Sequence, residues 1–383
     1  MPNDKLPLLW ICGPSGVGKS AIGWELFEQI SRDNVPIGYV DIDQLGMCYP
    51  APESDPERHA IKAGNLGSVV ETFEAAGAGG VIVSGVVDEV NGVRDYVTHI
   101  SQTDLTLCRL RADRNTLTAR LANRGQNSDQ IDAALLESDL LDQRGFSHPC
   151  IDTSGLTVSD TLQAVTEATG DWPGSGRVQR TSSGFPPFPD TPGSILWLCG
   201  TTAVGKSAVG WHIFDRIRKS GTRAAFVDLE QIGFYRSSPD PVPDRHRIKA
   251  HNLAGMWRVF HQSQAEYLVV VGQVNEADAV QTYREAFLQA DLTLCRLYAG
   301  PEQLRQRIGW RAQGLGPRLA GDRLRGQSDA VQDRIAEESV TIGKQLMTRE
   351  IGDFSVDTNR LSEEQAADKV IAHLDWSLAS DPS

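Results

Sequence analysis

Residues 13–20 read Gly13-Pro14-Ser15-Gly16-Val17-Gly18-Lys19-Ser20, after an apolar run at 8–12 and before a helix-like stretch at 21–30. Strand, glycine loop and helix in that order are the setting in which such a motif wraps a polyphosphate. Gly13, Gly16 and Gly18 let the chain turn its N–H groups inward, with Ser15 and Val17 lending theirs. The helix start adds partial positive charge. Lys19 is long enough to reach the β- and γ-phosphates, and the Ser20 hydroxyl suits Mg²⁺. The chain repeats the device. A run at 196–199 leads into Gly200-Thr201-Thr202-Ala203-Val204-Gly205-Lys206-Ser207, so Gly200, Thr202, Ala203, Val204, Gly205, Lys206 and Ser207 form a second nucleotide loop, with Ser207 as its metal-side hydroxyl.

The offset of 187 residues that carries Gly13 onto Gly200 also carries Val40-Asp41 onto Val227-Asp228, 58–66 onto 245–253, and 104–110 onto 291–297. About a hundred residues match without a gap, too long a period for a solenoid and therefore a domain duplication. The expected division is a first unit at 1–170, a Pro/Gly/Ser-rich linker at 171–194, a second unit at 195–376 and a disordered tail at 377–383. In the first unit apolar runs fall at 8–12, 37–42, 81–87, 105–110 and 149–152, with helical patterns between them. Ile22, Leu26, Phe27 and Ile30 make one apolar helix face, and Val209, Ile213, Phe214 and Ile217 repeat it. Short, nearly continuous apolar strands joined by helices predict an α/β fold, a parallel sheet covered on both faces.

In such a sheet the C-terminal strand ends face the ligand crevice. The second strand ends in Asp41-Ile42-Asp43, matched by Asp228-Leu229-Glu230. Carboxylates at i and i+2 leave a strand on the same side. One can accept a proton from an acceptor hydroxyl and the other can help hold Mg²⁺. Arg58, Lys62 and Asn65, repeated as Arg245, Lys249 and Asn252, stand at i, i+4 and i+7, and predict an acceptor-binding stripe on a helix. His59 and His246 match beside them, with general base and plain hydrogen-bonding residue both open. Asp88 would suit a second Mg²⁺ contact, but Asn275 replaces it in the repeat. Gly85 and Gly272 are expected to allow close approach to the phosphate loop. Arg120 and Arg124, and again Arg307 and Arg311, lie one helical turn apart, a spacing that can clamp a transferring phosphoryl group. The second unit then inserts an Arg/Gly-rich stretch at 314–326, read as a mobile lid or a plain surface loop.

The totals exclude other classes. A formal charge of −13 over 383 residues argues against non-specific nucleic-acid binding. No run approaches a membrane span, and the N-terminus lacks a signal pattern. Six cysteines without a C-x-x-C read as small buried residues of a reduced, cytoplasmic protein.

The phosphate loop, acidic second-strand end and Arg-x-x-x-Arg helix together resemble the small P-loop kinases: adenylylsulfate, gluconate and shikimate kinases and chloramphenicol phosphotransferase. The resemblance spans both units and implies, for each, a five-stranded parallel sheet of order 2-3-1-4-5. It implies that Asp41 and Asp228 contact or activate the acceptor. It implies too that Arg120, Arg124, Arg307 and Arg311 meet ATP or its γ-phosphate. The fused duplication departs from those families and leaves open whether both halves turn over.

The leading expectation is a phosphotransferase dependent on ATP and Mg²⁺, moving the γ-phosphoryl group to a hydroxyl of a small acceptor. Lys19, Asp41, Arg120 and Arg124 would be catalytic in one unit, and Lys206, Asp228, Arg307 and Arg311 in the other. Asp43 and Glu230 join the two polar stripes in binding the acceptor. The rival is a tandem nucleotide-binding switch for a protein partner. A split of labour between the units is a third reading, and an intramolecular pseudo-dimer is one packing that the duplication allows.

Overall fold

The computed structural model describes residues 5–33, 35–86, 93–143, 149–170, 172–174, 184–236, 245–316, 320–322, 324–374 and 376. In chain order the first elements are β1 (Leu6–Cys12), α1 (Lys19–Arg32), β2 (Ile37–Asp41), a 3-10 turn (Ile42–Gly46), β3 (Cys48–Tyr49), α2 (His59–Ala75), β4 (Gly80–Ser84) and α3 (Val93–His99). Next come β5 (Thr103–Arg111), α4 (Arg114–Ala122), α5 (Ser128–Gln143), β6 (Cys150–Asp152) and α6 (Val158–Thr169). The second series is β7 (Gly193–Cys199), α7 (Lys206–Lys219), β8 (Ala224–Asp228), β9 (Phe234–Arg236), α8 (Arg245–Gln262), β10 (Tyr267–Val271) and α9 (Ala277–Ala286). It ends with β11 (Ala290–Tyr298), α10 (Pro301–Ala312), α11 (Asp329–Thr348), β12 (Phe354–Asp357) and α12 (Glu363–Ile371).

The central strands β1, β2 and β4 are apolar runs of the sequence, almost wholly buried, as strands covered on both faces must be. The inner faces of the two helices after the loops hold Ile22, Leu26, Phe27 and Ile30 in one unit and Val209, Ile213, Phe214 and Ile217 in the other. Gly23 and Gly210 bring these helices close to the sheet. A Cβ on Gly23 would lie 3.0 Å from the Tyr39 ring, and one on Gly210 only 2.6 Å from Val271.

The chain forms two compact units, and they cross the boundaries drawn from sequence. The first comprises Met1–Gly46, Lys62–Pro186 and Gly233–Arg245; the second comprises Met47–Ile61, Pro187–Ile232 and His246–Ser383. The sheet of the first runs β6-β5-β1-β4-β2-β9 and that of the second β12-β11-β7-β10-β8-β3. Each therefore has six strands where five were expected. The additional edge strand is antiparallel and comes from the other half of the sequence. In the first unit Ile37 pairs with Arg236 and Tyr39 with Phe234; in the second, Cys48 pairs with Ala225 and Tyr49 with Ala224. These strands are two and three residues long, too short to show an alternating pattern.

Side chains anchor each edge. Phe234 enters an aromatic cluster, its ring centroid 4.8 Å from Trp24, 5.9 Å from Tyr39 and 6.4 Å from Phe27. Arg236 makes a two-pronged ion pair to Glu28 at 2.8 and 2.6 Å, and Tyr235 donates to the Ala76 carbonyl at 2.9 Å. In the second unit Phe226 N–H donates to Met47 O at 2.9 Å, Arg223 Nε to Pro50 O at 2.7 Å, and Tyr49 meets Phe214 edge-on. This edge strand of each sheet is only two or three residues long, which limits the edge offered to further pairing.

The segment expected as a spacer is docked at both described ends. Trp172 and Pro173 cover Gly80, Phe188 stacks on His251 at 4.1 Å, and Trp257 donates to Pro192 O at 3.0 Å. The middle of the linker and the tail at 377–383 lie outside the described residues, as do Asp88 and residues 317–319 and 323 of the insertion.

Candidate active site

Each glycine loop is built by backbone that only glycine adopts easily. Gly13, Gly16 and Gly18 have φ of 135°, 90° and 104°, and Gly200 and Gly205 have 136° and 104°. A Cβ on Gly13 would sit 2.2 Å from Leu110 O, and one on Gly200 2.5 Å from Leu297 O, so the loop lies against the neighbouring strand. Ala203 takes the place of Gly16 in the second loop and holds φ 62°. Val17 and Val204 are buried and pin the loops to the core, while Ser15 and Thr202 are half-buried at their rims.

Lys19 Nζ donates to Pro14 O at 2.9 Å, and Lys206 Nζ donates to Gly200 O and Thr201 O at 2.9 and 2.8 Å. Each ammonium is curled over its own loop. Burial pulls both lysines below the usual range. Carboxylates oppose the shift: Glu137, Asp43 and Asp41 for Lys19, and Asp228 and Glu230 for Lys206.

The acids flank the loops in two different ways. Ser20 Oγ donates to Asp41 Oδ2 at 2.7 Å, Ser84 Oγ to the same oxygen at 3.0 Å, and Asp43 N–H to Asp41 Oδ1 at 3.0 Å. Desolvation and the neighbouring Asp43 raise the Asp41 carboxyl, and the three donors pull it back. Asp228 accepts from Glu230 N–H at 3.0 Å, and no hydrogen bond joins it to Ser207 among the described residues. Desolvation lifts its carboxyl to about 6. Asp43 and Glu230 point outward, 61 and 53% exposed, and pair with Lys62 at 3.2 Å and Lys249 at 2.9 Å. Desolvation works against the charge on Glu230, but the Lys249 ammonium outweighs it and holds the carboxyl below its ordinary value.

The polar stripe does not form one solvated face. Arg58 precedes α2 with φ 60°, its guanidinium 4.2 Å from the centre of the Tyr49 ring, and Arg245 is the exposed first residue of α8. Asn65 and Asn252 are fully buried and donate to Leu45 O at 2.6 Å and Ile232 O at 2.5 Å. They brace the turn that leaves each acidic strand end. His246 Nδ1 lies 3.3 Å from the Tyr283 hydroxyl. Gly85 and Gly272 face Ile42 and Leu229, not the phosphate loop. A Cβ there would lie 2.0 Å from Ile42 Cγ2 and 2.7 Å from Leu229 Cβ.

Two of the four arginines serve the loop's own backbone. Arg120 donates to Val17 O at 3.3 Å and to Thr153 Oγ1 and O at 2.9 and 2.8 Å. Arg307 repeats this with Val204 O at 2.9 Å and Thr358 Oγ1 and O at 3.0 and 2.8 Å. Arg124 is exposed, and Arg311 pairs with Asp322 of the insertion at 3.2 Å. That insertion is packed down where it is described. Leu324 is buried with Ile308 and Ala336, and Gln231 donates to Ala320 O at 3.2 Å.

Sequence reasoning missed Tyr39, Ser84, Glu137, Thr153 and Thr358. The Asp-Thr pair ending both last strands, Asp152-Thr153 and Asp357-Thr358, was a signal for the threonines. Glu137 accepts from Ser15 N–H at 3.2 Å and belongs to no motif.

The fold is α/β with helices and largely parallel sheets, and the expected P-loop resemblance is upheld. The AAA domain family, a P-loop family, matches residues 9–141, less than half of the chain. Similar solved structures include a tunicamycin resistance protein from Deinococcus radiodurans (20% identity, 43% of this chain and 96% of that one, TM-score 0.34). Others are a gluconokinase from Sinorhizobium meliloti (15%, 42% and 90%, 0.30) and an APS kinase from Mycobacterium tuberculosis in complex with AMPPNP and APS (17%, 49% and 98%, 0.29). No curated protein matches the chain. Among the described residues no helix is long and apolar enough to cross a membrane.

Proposed function

We propose that the chain is an ATP- and Mg²⁺-dependent phosphotransferase acting on a hydroxyl of a small-molecule acceptor, with nucleotide sites at 13–20 and 200–207. The observation that carries this reading is the 2.7 Å bond from Ser20 to Asp41 at the end of a glycine loop whose lysine is desolvated. A serine that donates its hydrogen bond to a carboxylate turns its oxygen lone pairs outward, the donor set a hard cation prefers. No group of three or more His, Cys, Asp or Glu able to hold a metal occurs among the described residues. A cation here would lean on Ser20, Asp41 and the nucleotide's own oxygens, the few hard oxygen ligands that suit Mg²⁺. When bound, Mg²⁺ supplies neutralisation of charge on the β- and γ-oxygens.

The remaining work falls to the chain. Loop N–H groups orient the phosphates, and Lys19 and Lys206 neutralise them in desolvated surroundings. Arg120 and Arg307 keep the loop in shape, and the next arginines along the same helices, Arg124 and Arg311, are the ones we assign to the transferring group. In the first unit Asp41 is engaged by Ser20, so Asp43 is the carboxylate that would take the acceptor's proton. In the second, Asp228 titrates at about 6 and could act as the base itself near neutral pH.

The test compares Lys19→Ala with Lys206→Ala by calorimetric titration with a non-hydrolysable ATP analogue or a GTP analogue, beside a product assay over alcohols, sugars, nucleosides and antibiotics. Each substitution should weaken its own site on the order of a hundredfold, the worth of a charged hydrogen bond to phosphate. Unaltered binding in both variants, or only slow hydrolysis with every acceptor, would sink the reading.

A further inference from the structure

Behind Asp41 lies a chain of hydroxyls that the second unit lacks. Tyr39 and Ser84 are fully buried, their oxygens 2.9 Å apart, and Ser84 Oγ is 3.0 Å from Asp41 Oδ2. An ionised carboxylate only accepts, and a serine has one hydroxyl hydrogen. Ser84 therefore spends its hydrogen on Asp41, and Tyr39 must be the donor to Ser84. Ser20 spends its own hydrogen on the same carboxylate oxygen from the loop side. The resulting order, Tyr39 to Ser84 to Asp41 with Ser20 opposite, fixes that oxygen from two directions. At the equivalent positions the second unit has Phe226, Val271, Asp228 and Ser207. A phenyl ring and an isopropyl group donate nothing, and among the described residues no hydrogen bond joins Ser207 to Asp228.

We propose that Ser84, backed by Tyr39, is a positioning residue that holds the Asp41 carboxylate against Ser20, so that the first unit carries a preassembled divalent-cation pair and the second does not. The proposal rests on reading the two loops as Mg²⁺–nucleotide sites. A buried relay of satisfied hydroxyls is rigid, so the pair needs no rearrangement when the cation arrives. In the second unit the carboxylate must first be drawn to Ser207, and the cation bears that cost. The first site therefore couples nucleotide to Mg²⁺ at lower metal concentration.

The experiment uses full-length protein carrying Lys206→Ala, so that binding reports the first unit. Calorimetric titrations with AMPPNP are run without metal and over a series of Mg²⁺ concentrations, with a thermal midpoint for each variant. Ser84→Ala should raise the Mg²⁺ concentration giving half of the metal-dependent tightening about tenfold, while metal-free affinity stays within about twofold. Tyr39→Phe, the residue of the second unit, should shift it about threefold in the same direction. Ser84→Thr keeps the hydroxyl and should restore the original concentration. In a Lys19→Ala background, Phe226→Tyr with Val271→Ser should lower the Mg²⁺ requirement of the second site. Folded Ser84→Ala and Tyr39→Phe proteins with the original Mg²⁺ dependence would overturn the proposal. So would a loss shared equally by metal-free and metal-bound states, which marks a structural role alone. Failure of the Lys206→Ala protein to bind AMPPNP under any condition would instead remove the nucleotide reading for this loop, and the proposal with it.

Discussion

The two acidic strand ends share a backbone and differ in what surrounds the carboxylate. Asp41 receives Ser20, Ser84 and its own i+2 N–H, whereas Asp228 receives only the i+2 N–H among the described residues. Two replacements accompany the difference: Phe226 stands where the first unit has Tyr39, and Val271 where it has Ser84. Both sites bury a carboxylate at a cost, but only the first offsets it with side-chain donors. The loop and the acid recur in both units, while the residues beside the acid in the sheet differ. The motifs of the two units match, and the difference lies in the side chains packed around the acid.

The sharpest check on what the units share lies in the first glycine of each loop. Gly13→Ala would force a Cβ to within 2.2 Å of Leu110 O at φ 135°, and Gly200→Ala to within 2.5 Å of Leu297 O at φ 136°. Neither contact can be relieved by rotating a side chain. Each substitution should cost its unit about 4 kcal/mol in denaturant unfolding, Gly13 slightly more than Gly200. A loss below about 1 kcal/mol in either would mean that the loop is free to move off its strand.

The next check separates the units. Desolvation lifts the Asp228 carboxyl of the folded chain from an ordinary 3.8 to about 6. The folded state then binds the proton more tightly, so this group's stabilisation is complete below about pH 4 and is lost as pH rises through 6. Asp228→Asn stays neutral and should gain on the parent protein between pH 4 and 7, on the order of 3 kcal/mol. Asp41→Asn should gain less, because Asn cannot accept from Ser20, Ser84 and Asp43 as a carboxylate does. Unfolding curves over that range decide it; a difference independent of pH for Asp228→Asn would remove the contrast.

Much of this molecule was legible from residue types. The glycine loops, the buried strands and the apolar faces of α1 and α7 follow from spacing, because burial imposes periodicity. The acid at each second-strand end was legible because its place in a parallel sheet is fixed by topology. Other features depend on contacts between residues far apart in sequence. Nothing at Asn65 or Asn252 marks them as buried braces for a turn twenty residues earlier. Nothing at Arg120 or Arg307 distinguishes a guanidinium aimed at phosphate from one that holds the loop's carbonyl. Ser84 and Tyr39 lie inside strands whose apolar character hid two polar side chains. The exchanged edge strands were hardest, since local pattern says nothing about which half of the chain a strand will pair with.

Those edge strands give the smallest predicted effect and a last comparison. Phe234 and Met47 occupy equivalent places in the repeat: Phe234 opens β9 against β2, and Met47, just before β3, accepts from Phe226 N–H of β8. Phe234 packs among Trp24, Phe27 and Tyr39, the last of which is the outer link of the hydroxyl relay. Met47 packs half-buried against the second unit's core. Phe234→Ala should therefore cost about 2 kcal/mol, below the 3–5 of a fully buried ring because Phe234 is only half-buried, and Met47→Ala about 1 kcal/mol. The Phe234 variant should also loosen Tyr39, so its loss should fall by about a third in a Tyr39→Phe background, as expected for neighbours that share a contact. Additive losses would mean that the edge strand and the relay are independent, and that the exchange completes the sheet without touching the site.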